Sequence, residues 1–360
     1  MKFDYVVVGS GLTGSVIARE LQDSGALVIV LDRRSHCGGN VSDHVHPSGI
    51  NIHTYGPHYF RTNDDELWSY VNRFAEFYSY EPALKSFVDG KYQNWPIAAS
   101  YIKSELGDDW QASFFGKPMN FEEASLSMMP KLIYEKFVKG YTEKQWGVSP
   151  NLLSSSLAKR FDVRLDDEPR LMRHKYQGIP VLGYSAFMLN VLKGIPVVLN
   201  FDFLRKRDIF LASKKIIFTG PIDEFYEFKF GKLKYRGQKR VHKYFEDIDY
   251  MQPCGQVNNP DLKNGPHIRS LEWKHMMESK FASKIQGTLI TEEVTVTPDS
   301  PDEYEYPFPD DHNKLLYEKY RSLAENDPSL LICGRLGEYK YYDMDQSIAR
   351  ARMLARKLLE

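Results

Sequence analysis

The sequence predicts an α/β fold in which a parallel sheet is built from both ends of the chain, with a helical insert and an antiparallel sheet between them. Two short apolar runs, at residues 5–8 and 27–31, flank a helical pattern in which Ile17 and Leu21 share one face and Gly25 follows as the stop signal. The chain ends with an apolar run at residues 330–333 and an amphipathic helix over residues 345–360. Between the ends lie a helical stretch at residues 95–147, the strand-forming segment 287–296 and a Pro-containing acidic segment, 298–309, for which we expect a long loop.

Size and composition exclude several classes of protein. A chain of 360 residues is long enough for two or three structural units with a sizeable core. A net charge of -1 argues against a nucleic-acid-binding surface or a polybasic membrane anchor. The three cysteines, Cys37, Cys254 and Cys333, form neither a zinc-binding spacing nor a disulfide framework. There is no signal peptide pattern and no apolar run of roughly 20 residues. We therefore expect a soluble, cytoplasmic protein that uses no metal and binds no nucleic acid and no membrane.

A glycine motif follows the first apolar run. Gly9-Ser10-Gly11-Leu12-Thr13-Gly14 matches the G-x-G-x-x-G pattern between a strand and a helix. Its glycines permit a tight turn, close approach of the backbone to a pyrophosphate, and close packing of helix on strand. Asp32 ends the second strand, where a carboxylate can accept ribose hydroxyls. This arrangement predicts a dinucleotide on a Rossmann-type domain, with the phosphates at the helix N-terminus.

The segment after Asp32 distinguishes between dinucleotides. It contains the basic pair Arg33-Arg34 and the turn Gly38-Gly39-Asn40. A basic pair followed by a Gly-Gly turn resembles the glutathione-reductase-like and amine-oxidase-like families, in which this segment lies near the adenosine and pyrophosphate of FAD. We therefore predict FAD rather than a nicotinamide cofactor.

Further segments resemble a narrower family, the bacterial UDP-galactopyranose mutases, over most of the chain. They are HTYGPH at 53–58, KGYTEKQWG at 139–147, YQGIP at 176–180, FTGPID at 218–223 and GRLGEYKYYDM at 334–344. The fold expected from pattern and resemblance together is α/β, a Rossmann-type FAD-binding domain with a helical insert and an antiparallel β-sheet substrate domain. We expect the FAD-binding domain at 1–78, 195–238 and 312–360, the helical insert at 95–150, and the substrate domain at 79–94, 151–194 and 239–311.

The resemblance implies an unusual use of the flavin. Reduced FAD attacks the anomeric carbon of a nucleotide-bound sugar through its N5 atom and displaces the nucleoside diphosphate. The flavin–sugar adduct opens to an iminium and recloses on another hydroxyl, so that pyranose and furanose forms interconvert without net redox change. The substrate is a UDP- or dTDP-hexose, and an external reductant such as NAD(P)H keeps the flavin reduced. The resemblance also implies a homodimer and a role in cell-surface polysaccharide biosynthesis.

The resemblance also assigns roles to individual residues. Arg164, within Phe161-Asp162-Val163-Arg164, and Arg269 match two arginines that bind the departing diphosphate, and His58 lies by the flavin N5 region; arginine suits phosphate because its planar fork binds two oxygens. In the family the segment that carries Arg164 is a mobile loop, and residues 166–170 are polar enough to behave as one. The matching substrate-binding residues are Phe137, Tyr141, Thr142, Trp146, Tyr176, Tyr306 and Tyr341. The matching cofactor-binding residues are Gly9, Gly11, Leu12, Thr13, Gly14, Asp32, Arg33, Gly38, Gly39, Asn40, His53, Tyr55, His58, Thr219, Arg335, Tyr342, Asp343 and Met344.

Two departures from the family bear on the sugar. Arg61 stands where the family has histidine, and Trp273 stands where it also has histidine. Both are added to the predicted substrate-binding set, because a polar group near the sugar decides which substrate is accepted. The hypothesis is that the sugar is not plain galactose but an N-acetylated, deoxy or otherwise altered hexose. The alternative is that Arg61 only pairs with a flavin phosphate or with a nearby acid.

Two other functions remain open from the sequence. An amine-oxidase-like, FAD-dependent oxidoreductase would consume an electron acceptor. A non-catalytic nucleotide-sugar binder would bind without turnover. The arginines at 164 and 269 and the segment around Tyr141 favour the mutase over both.

Overall fold

The computed structural model describes residues 2–160, 163–164 and 166–360. The strands of this part of the chain are β1 (Lys2–Val8), β2 (Val28–Leu31), β3 (Asp43–Val45), β4 (Asn51–His53), β5 (Phe60–Thr62), β6 (Phe77–Ser79), β7 (Leu84–Val88), β8 (Lys91–Trp95), β9 (Tyr176–Pro180), β10 (Val197–Val198), β11 (Leu211–Phe218), β12 (Tyr235–Phe245), β13 (Gln256–Asn258), β14 (Arg269–Glu272), β15 (Thr288–Val296), β16 (Tyr306–Pro307) and β17 (Leu330–Ile332).

The α-helices are α1 (Leu12–Asp23), α2 (Asp65–Asn72), α3 (Ala99–Leu106), α4 (Phe121–Leu126), α5 (Lys131–Ile133), α6 (Gly140–Trp146), α7 (Gly183–Val191), α8 (Ile222–Phe225), α9 (Ser279–Ala282), α10 (Asp311–Glu325), α11 (Gly334–Gly337) and α12 (Met344–Leu359). A π-helical segment, Tyr134–Lys139, joins α5 to α6. Short 3-10 turns lie at Gly39–Val41, Pro150–Leu152, Ser155–Arg160, Phe203–Arg205, Trp273–Met276 and Pro301–Glu303.

Both ends of the chain meet in one five-stranded sheet, with the order β10-β2-β1-β11-β17. Its strand pairs are all parallel. Helix α1 buries Ile17 and Leu21, and the C-terminal helix α12 buries Ile348 and Ala351, in the same hydrophobic core. The predicted α/β architecture is confirmed, including the contribution of both chain ends to one parallel sheet.

A second, seven-stranded sheet has the order β16-β12-β15-β14-β13-β7-β8. Its pairs are antiparallel except that β13 runs parallel to β7. The sheet is therefore mixed rather than purely antiparallel. The exception arises where the β7–β8 hairpin, which comes from much earlier in the chain, joins the edge of the later strands, since a long connection allows either direction.

The helical stretch between residues 99 and 146 has its own core, which includes Ile102, Phe121, Ile133 and Phe137. The π-helical segment lies in its longest helical run, Lys131 to Trp146. Such segments are rare and shift the faces of the helix that follows them. Phe137, within this segment, and Tyr141, four residues later, line the same cleft.

One expectation of local structure is wrong. Segment 298–309 is not one long loop, because it contains a 3-10 turn, Pro301–Glu303, and the edge strand β16.

Helix α7 packs into the core with α1, through Phe187 and Met188. We therefore propose that α7 belongs with the parallel-sheet unit, so that the expected boundary at residue 195 moves N-terminal to it.

Within the described ranges, no helix is both long and apolar enough to cross a membrane.

The core around α1 provides a test of the fold. Leu21 is fully buried, whereas Leu27, which directly precedes β2, is 64% exposed. We expect Leu21→Ala to lower the free energy of unfolding by about 2–5 kcal/mol, because it leaves a cavity in a packed core. Leu27→Ala is the matched control, with an expected change of less than about 0.5 kcal/mol. Urea unfolding of the cofactor-free proteins measures both, and equal effects would contradict the structure.

Candidate active site

A first cleft opens at the carboxyl ends of the parallel strands β1, β2 and β11. It encloses about 1170 Å³, counted to its open mouth. Carboxyl ends of parallel strands are where open α/β sheets bind ligands. The walls include predicted cofactor-binding residues from five segments of the chain: Gly9, Gly11, Leu12, Thr13, Asp32, Arg33, Gly38, Gly39, Asn40, His58, Thr219, Arg335 and Met344.

Glycines allow close contacts at the floor of this cleft. Gly9 has φ +106°, and a Cβ on it would lie 2.0 Å from Thr219 Oγ1. A Cβ on Gly39 would lie 2.9 Å from Gly11 Cα. Gly14 does not line the cleft, and a Cβ there would lie 2.0 Å from the Gly9 carbonyl oxygen, so its role is the close packing of α1.

Helix α1 points its N-terminus into the same cleft. Its N-cap is Gly11, and within the described residues no side chain accepts a hydrogen bond at that cap. The first-turn amides and the helix dipole therefore favour an anion here. The cleft thus fits the diphosphate of a dinucleotide.

Asp32 is buried at the edge of the cleft and is already held in place. Its Oδ2 accepts hydrogen bonds from Ser10 N at 2.7 Å and Ser10 Oγ at 2.6 Å, and its Oδ1 accepts one from Arg34 N at 2.9 Å. Arg33 pairs with Glu224 at 2.8 Å. These contacts orient the carboxylate toward the place where a ribose would lie.

A second cleft adjoins the first and shares four of its wall residues, Asn40, His58, Arg335 and Met344. One wall is the helical run 131–146 and the other is the seven-stranded sheet. The predicted residues on its walls are Tyr55, His58, Arg61, Phe137, Tyr141, Thr142, Trp146, Arg269, Tyr306, Arg335, Tyr341, Asp343 and Met344. The two clefts therefore form one continuous depression.

A chain of buried ion pairs lies under the second cleft. Arg269 pairs with Glu293, Glu293 with Arg240 at 2.8 Å, and Arg240 with Glu305 at 2.9 Å. Burial alone would raise the pKa of Glu293, but Arg269 and Arg240 bring it below its ordinary value. Burial raises the pKa of Glu305, although Arg240 opposes it. Arg269 thus enters the cleft with its charge fixed in position by a fully buried carboxylate.

Aromatic rings continue this wall toward the junction of the clefts. Tyr306 and Tyr341 stack with ring centroids 6.1 Å apart, and the Arg335 guanidinium lies 4.6 Å from the centre of the Tyr341 ring. Burial raises the pKa of the Tyr306 phenol, so it remains a neutral donor. A neutral phenol can donate a hydrogen bond to a phosphate oxygen without adding charge.

His58 is the histidine that reaches the junction. Its Nδ1 lies 2.7 Å from the Gly56 carbonyl oxygen, which can only accept, so Nδ1 carries the proton. The His58 backbone N donates to His53 Nδ1 at 3.0 Å. Burial, with the nearby His53 and Arg335, holds the pKa of His58 well below its ordinary value. His58 is therefore a neutral imidazole at the meeting point of the two clefts.

Several predicted residues lie behind the walls rather than on them. Trp273 is fully buried and donates from Nε1 to Thr291 Oγ1 at 2.6 Å, and its ring lies 5.3 Å from that of His53. His53 is itself buried and lines neither cleft. Trp273 lines neither cleft, because the indole in the 3-10 turn at 273–276 packs into the core, and its contact with the substrate remains a prediction.

Tyr176 and Tyr342 are also absent from the described cleft walls. Tyr176, at the start of β9, stacks on Trp68 with ring centroids 5.0 Å apart. Tyr342 contributes its backbone, since its carbonyl accepts from Arg335 Nη2 at 2.9 Å. The position of Tyr176 on β9 turns its phenol toward α2 and away from the cleft.

Arg164 is folded into its own loop. Its Nη1 donates to the carbonyls of Glu168 and Arg170 at 2.7 and 2.6 Å, and its Nη2 to that of Leu171 at 3.2 Å. Leu171 lines the second cleft, so Arg164 lies directly behind the wall. The neighbouring Phe161 and Asp162, which carried part of the motif, lie outside the described residues.

Arg61 lies on the wall of the second cleft and pairs with Asp343 at 2.9 Å. Asp343 is also the N-cap of α12, where it forms a capping box with Gln346. Both interpretations of Arg61 therefore keep support, since its side chain faces the cleft and also pairs with an acid.

Sequence reasoning missed the residues that hold Arg269, namely Arg240, Glu293 and Glu305, and the polar cleft residues Gln145, Gln238, Gln256 and Asn258. One signal was present. Glu293 lies two and four residues from the buried Thr291 and Leu289 on the same face of β15. A carboxylate in phase with a buried strand face requires a cationic partner. Among the residues that the structure describes, no group of three His, Cys, Asp or Glu side chains is arranged to hold a metal ion.

The buried His53 gives a prediction for stability. Burial lowers the pKa of His53 to about 4, with Asp43 opposing. Between pH 6.5 and 4, His53 therefore binds a proton in the unfolded chain but not in the folded chain, so the free energy of unfolding falls as the pH falls. We expect His53→Gln to reduce the loss of unfolding free energy between pH 7 and 5.5 by about 1 kcal/mol. The exposed His44→Gln is the control for urea unfolding at both pH values, and an equal loss in wild type and His53→Gln would contradict the interpretation.

Comparison with known proteins agrees with this geometry. A family model described as UDP-galactopyranose mutase matches residues 136–341, and one described as an NAD(P)-binding Rossmann-like domain matches residues 7–74. A crystal structure of a reduced UDP-galactopyranose mutase superposes with a TM-score of 0.75 at 15% identity, covering 99% of this chain and 95% of that one. A putrescine oxidase superposes with a TM-score of 0.64 at 11% identity, covering 100% and 99% of the two chains. At such identities both likenesses show the fold alone.

Sequence relatives are more specific. A probable UDP-galactopyranose mutase of Klebsiella pneumoniae is 35% identical, over 98% of this chain and 94% of the relative. A dTDP-fucopyranose mutase of Escherichia coli is 30% identical, over 96% of each chain. With these matches and the family model spanning more than half of its length, the chain belongs to the UDP-galactopyranose mutase family.

Proposed function

We propose that the protein interconverts the pyranose and furanose forms of a hexose bound to a nucleoside diphosphate, with FAD as its cofactor. The observation that carries the proposal is the continuity of the two clefts through Asn40, His58, Arg335 and Met344. A dinucleotide in the first cleft would end at this junction. A nucleotide sugar in the second would bring its sugar to the same point.

The residues present fit FAD. The glycines on the floor of the first cleft and the uncapped N-terminus of α1 suit its diphosphate, and Asp32 suits a ribose. Helix α12 starts beside the junction, with Asp343 as its N-cap. When bound and reduced, the flavin supplies a nucleophilic nitrogen for sugar transfer without net redox change. The Gly56 carbonyl oxygen accepts the proton of His58 Nδ1 in a hydrogen bond, and this contact fixes the orientation of the ring and of its Nε2 atom. The imidazole is neutral, so it adds no charge at the junction.

The second cleft supports a pyrimidine nucleotide. Phe137 and Tyr141 lie on one helical face of the wall and offer flat rings on which a base can stack. Arg269 and Tyr306 lie across the cleft and offer a fixed cation and a neutral donor for phosphate oxygens. Trp146 lines the same cleft and would pack against the sugar.

The charge of the leaving group indicates a role for Arg164. On the wall of the second cleft, Arg61 faces Asp343 and Arg269 faces Glu293. A departing nucleoside diphosphate carries several negative charges, which need additional cationic donors in a site from which water is excluded. We propose that Arg164, whose partners include the carbonyl oxygens of Glu168, Arg170 and Leu171, turns to the diphosphate when its loop closes.

The finer assignments are part of the same proposal. The substrate is UDP-galactose or a close analogue, such as an N-acetylated or deoxy hexose on UDP or dTDP. The flavin acts in its reduced form, maintained by an external reductant such as NAD(P)H. We further propose a cytoplasmic homodimer that serves cell-surface polysaccharide biosynthesis.

Turnover by the reduced protein tests the function and the sugar together. Under anaerobic dithionite, UDP-galactose, UDP-N-acetylgalactosamine and dTDP-fucose are each incubated with the protein, and furanose products are separated by chromatography. We expect kcat/KM to be highest for an altered hexose. We expect Arg61→His to shift the ratio toward UDP-galactose by about tenfold, a change of about 1.4 kcal/mol in discrimination. A wild-type preference for UDP-galactose would contradict the sugar hypothesis, and absence of any furanose would contradict the function.

Substitution of Arg164 tests the loop. We expect Arg164→Ala to lower kcat by about 100-fold or more, because a donor to the developing charge is lost, while FAD remains bound. Arg170→Ala, on the same loop and paired with Glu168, is the control and should retain activity within a few-fold. Flavin absorbance and anaerobic product assays measure both variants, and full activity of Arg164→Ala would remove Arg164 from the mechanism.

A further inference from the structure

The two walls of the nucleotide-binding part of the second cleft belong to separate elements. Helix α6 carries Tyr141 and Trp146 on one side. On the other side, Asn258 ends β13 and Arg269 begins β14, and the two residues are paired across the hairpin. The distance between base-stacking and phosphate-binding groups therefore depends on two contacts of α6. Arg236 of β12 donates from Nε to the Gln145 carbonyl oxygen at 3.0 Å, and the helix packs against the hairpin loop, residues 259–268.

One side chain of α6 makes that connection. Lys144 Nζ donates to the carbonyl oxygens of Asp261 at 2.7 Å, Asn259 at 3.0 Å and His267 at 3.2 Å. An ammonium has three N–H donors, so each finds an acceptor in the loop. The acceptors lie at both ends of the loop, so Lys144 fixes its entry and its exit to the helix.

The helix backbone touches the same loop one turn earlier. A Cβ on Gly140 would lie 2.1 Å from the Pro260 carbonyl oxygen. Residues four apart share a helix face, so Gly140 and Lys144 form one contact surface. The glycine allows the close approach and the lysine supplies its hydrogen bonds.

The sheet holds only the exit of the loop, where the buried Ile268 donates from its backbone N to the Glu293 carbonyl oxygen at 2.8 Å. Residues 261–266 are exposed, and an open pocket lined in part by Phe87, Tyr92 and His267 borders the loop. Asn259 keeps the loop in shape by donating from Nδ2 to the Asn264 and His267 carbonyls, but these bonds are internal to it. The contact with α6 therefore positions residues 259–267, whereas β15 holds the last residue of the loop.

We propose that Lys144 is a positioning residue that sets the width of the nucleotide-binding part of the second cleft by holding the 259–268 loop against α6. The proposal rests on the proposed function for its substrate. Lys144 does not line either cleft, so it acts through Asn258 and Arg269 on one wall and Tyr141 on the other. Burial lowers the pKa of Lys144 to about 8, as expected of an ammonium held by neutral carbonyls away from water.

The experiment compares Lys144→Met with Lys131→Met in the FAD-bound protein. Lys131 belongs to the same helical run, but its side chain is 72% exposed and lies outside both clefts. The measurements are KM and kcat for the best nucleotide sugar, the Kd of UDP by calorimetry, and amide hydrogen exchange of residues 259–268. We expect Lys144→Met to raise KM and Kd about tenfold, to leave kcat within about twofold, and to accelerate exchange in the loop about tenfold. Lys131→Met should change none of these.

Other results overturn the proposal: unchanged KM and Kd, a fall of kcat at constant KM, or faster loop exchange without weaker UDP binding. Should Lys144→Met fail to fold, Lys144→Gln, which keeps one amide donor group, carries the same prediction at about threefold. A wild-type protein that converts no nucleotide sugar would refute the proposed function instead, while UDP binding and hydrogen exchange would still decide the role of Lys144.

Discussion

The site depends on the buried chain of ion pairs Arg269–Glu293–Arg240–Glu305. Each charge in it has lost most of its water, and alternation of sign along the chain offsets that cost. These ion pairs also fix the position of a backbone turn that packs against them. Gly56 has φ +93°, and a Cβ there would lie 2.8 Å from Glu293 Oε1. The same turn carries His58 to the junction of the two clefts, so the ion pairs determine where the clefts meet.

The remaining parts of the site are then placed by ordinary features of the fold. The parallel sheet brings its strand ends and the start of α1 to the first cleft. The helical run brings Phe137 and Tyr141 to the second, and strand pairing places Arg269 opposite them. The protein contributes positions, neutral donors and fixed cations, while the reactive atom belongs to the cofactor. A binding site of this kind must keep its walls in register, which is why a residue outside the clefts, such as Lys144, bears on substrate binding.

Local constraints made much of the fold predictable. The glycines at 9–14 and 38–39 are favoured by positive φ angles or by close contacts within the unit that contains them, and the βαβ pattern carries its own periodicity. The site was less predictable because motif position does not determine side-chain direction: Trp273 and Tyr176 turn into aromatic packing. Glu293 escaped notice because its partners come from other strands. Arg164 shows a third limit, since its loop has a bonded arrangement of its own that the sequence does not reveal.

The proposed use of the flavin involves no net redox change, and the ratio of product to reducing equivalents distinguishes it from an oxidoreduction. The FAD-bound protein is reduced anaerobically with one equivalent of dithionite and given an excess of the best nucleotide sugar. We expect many furanose products for each reducing equivalent, with the flavin still reduced at the end. One product or fewer for each equivalent, with the flavin oxidised, would contradict it and would favour an oxidoreductase.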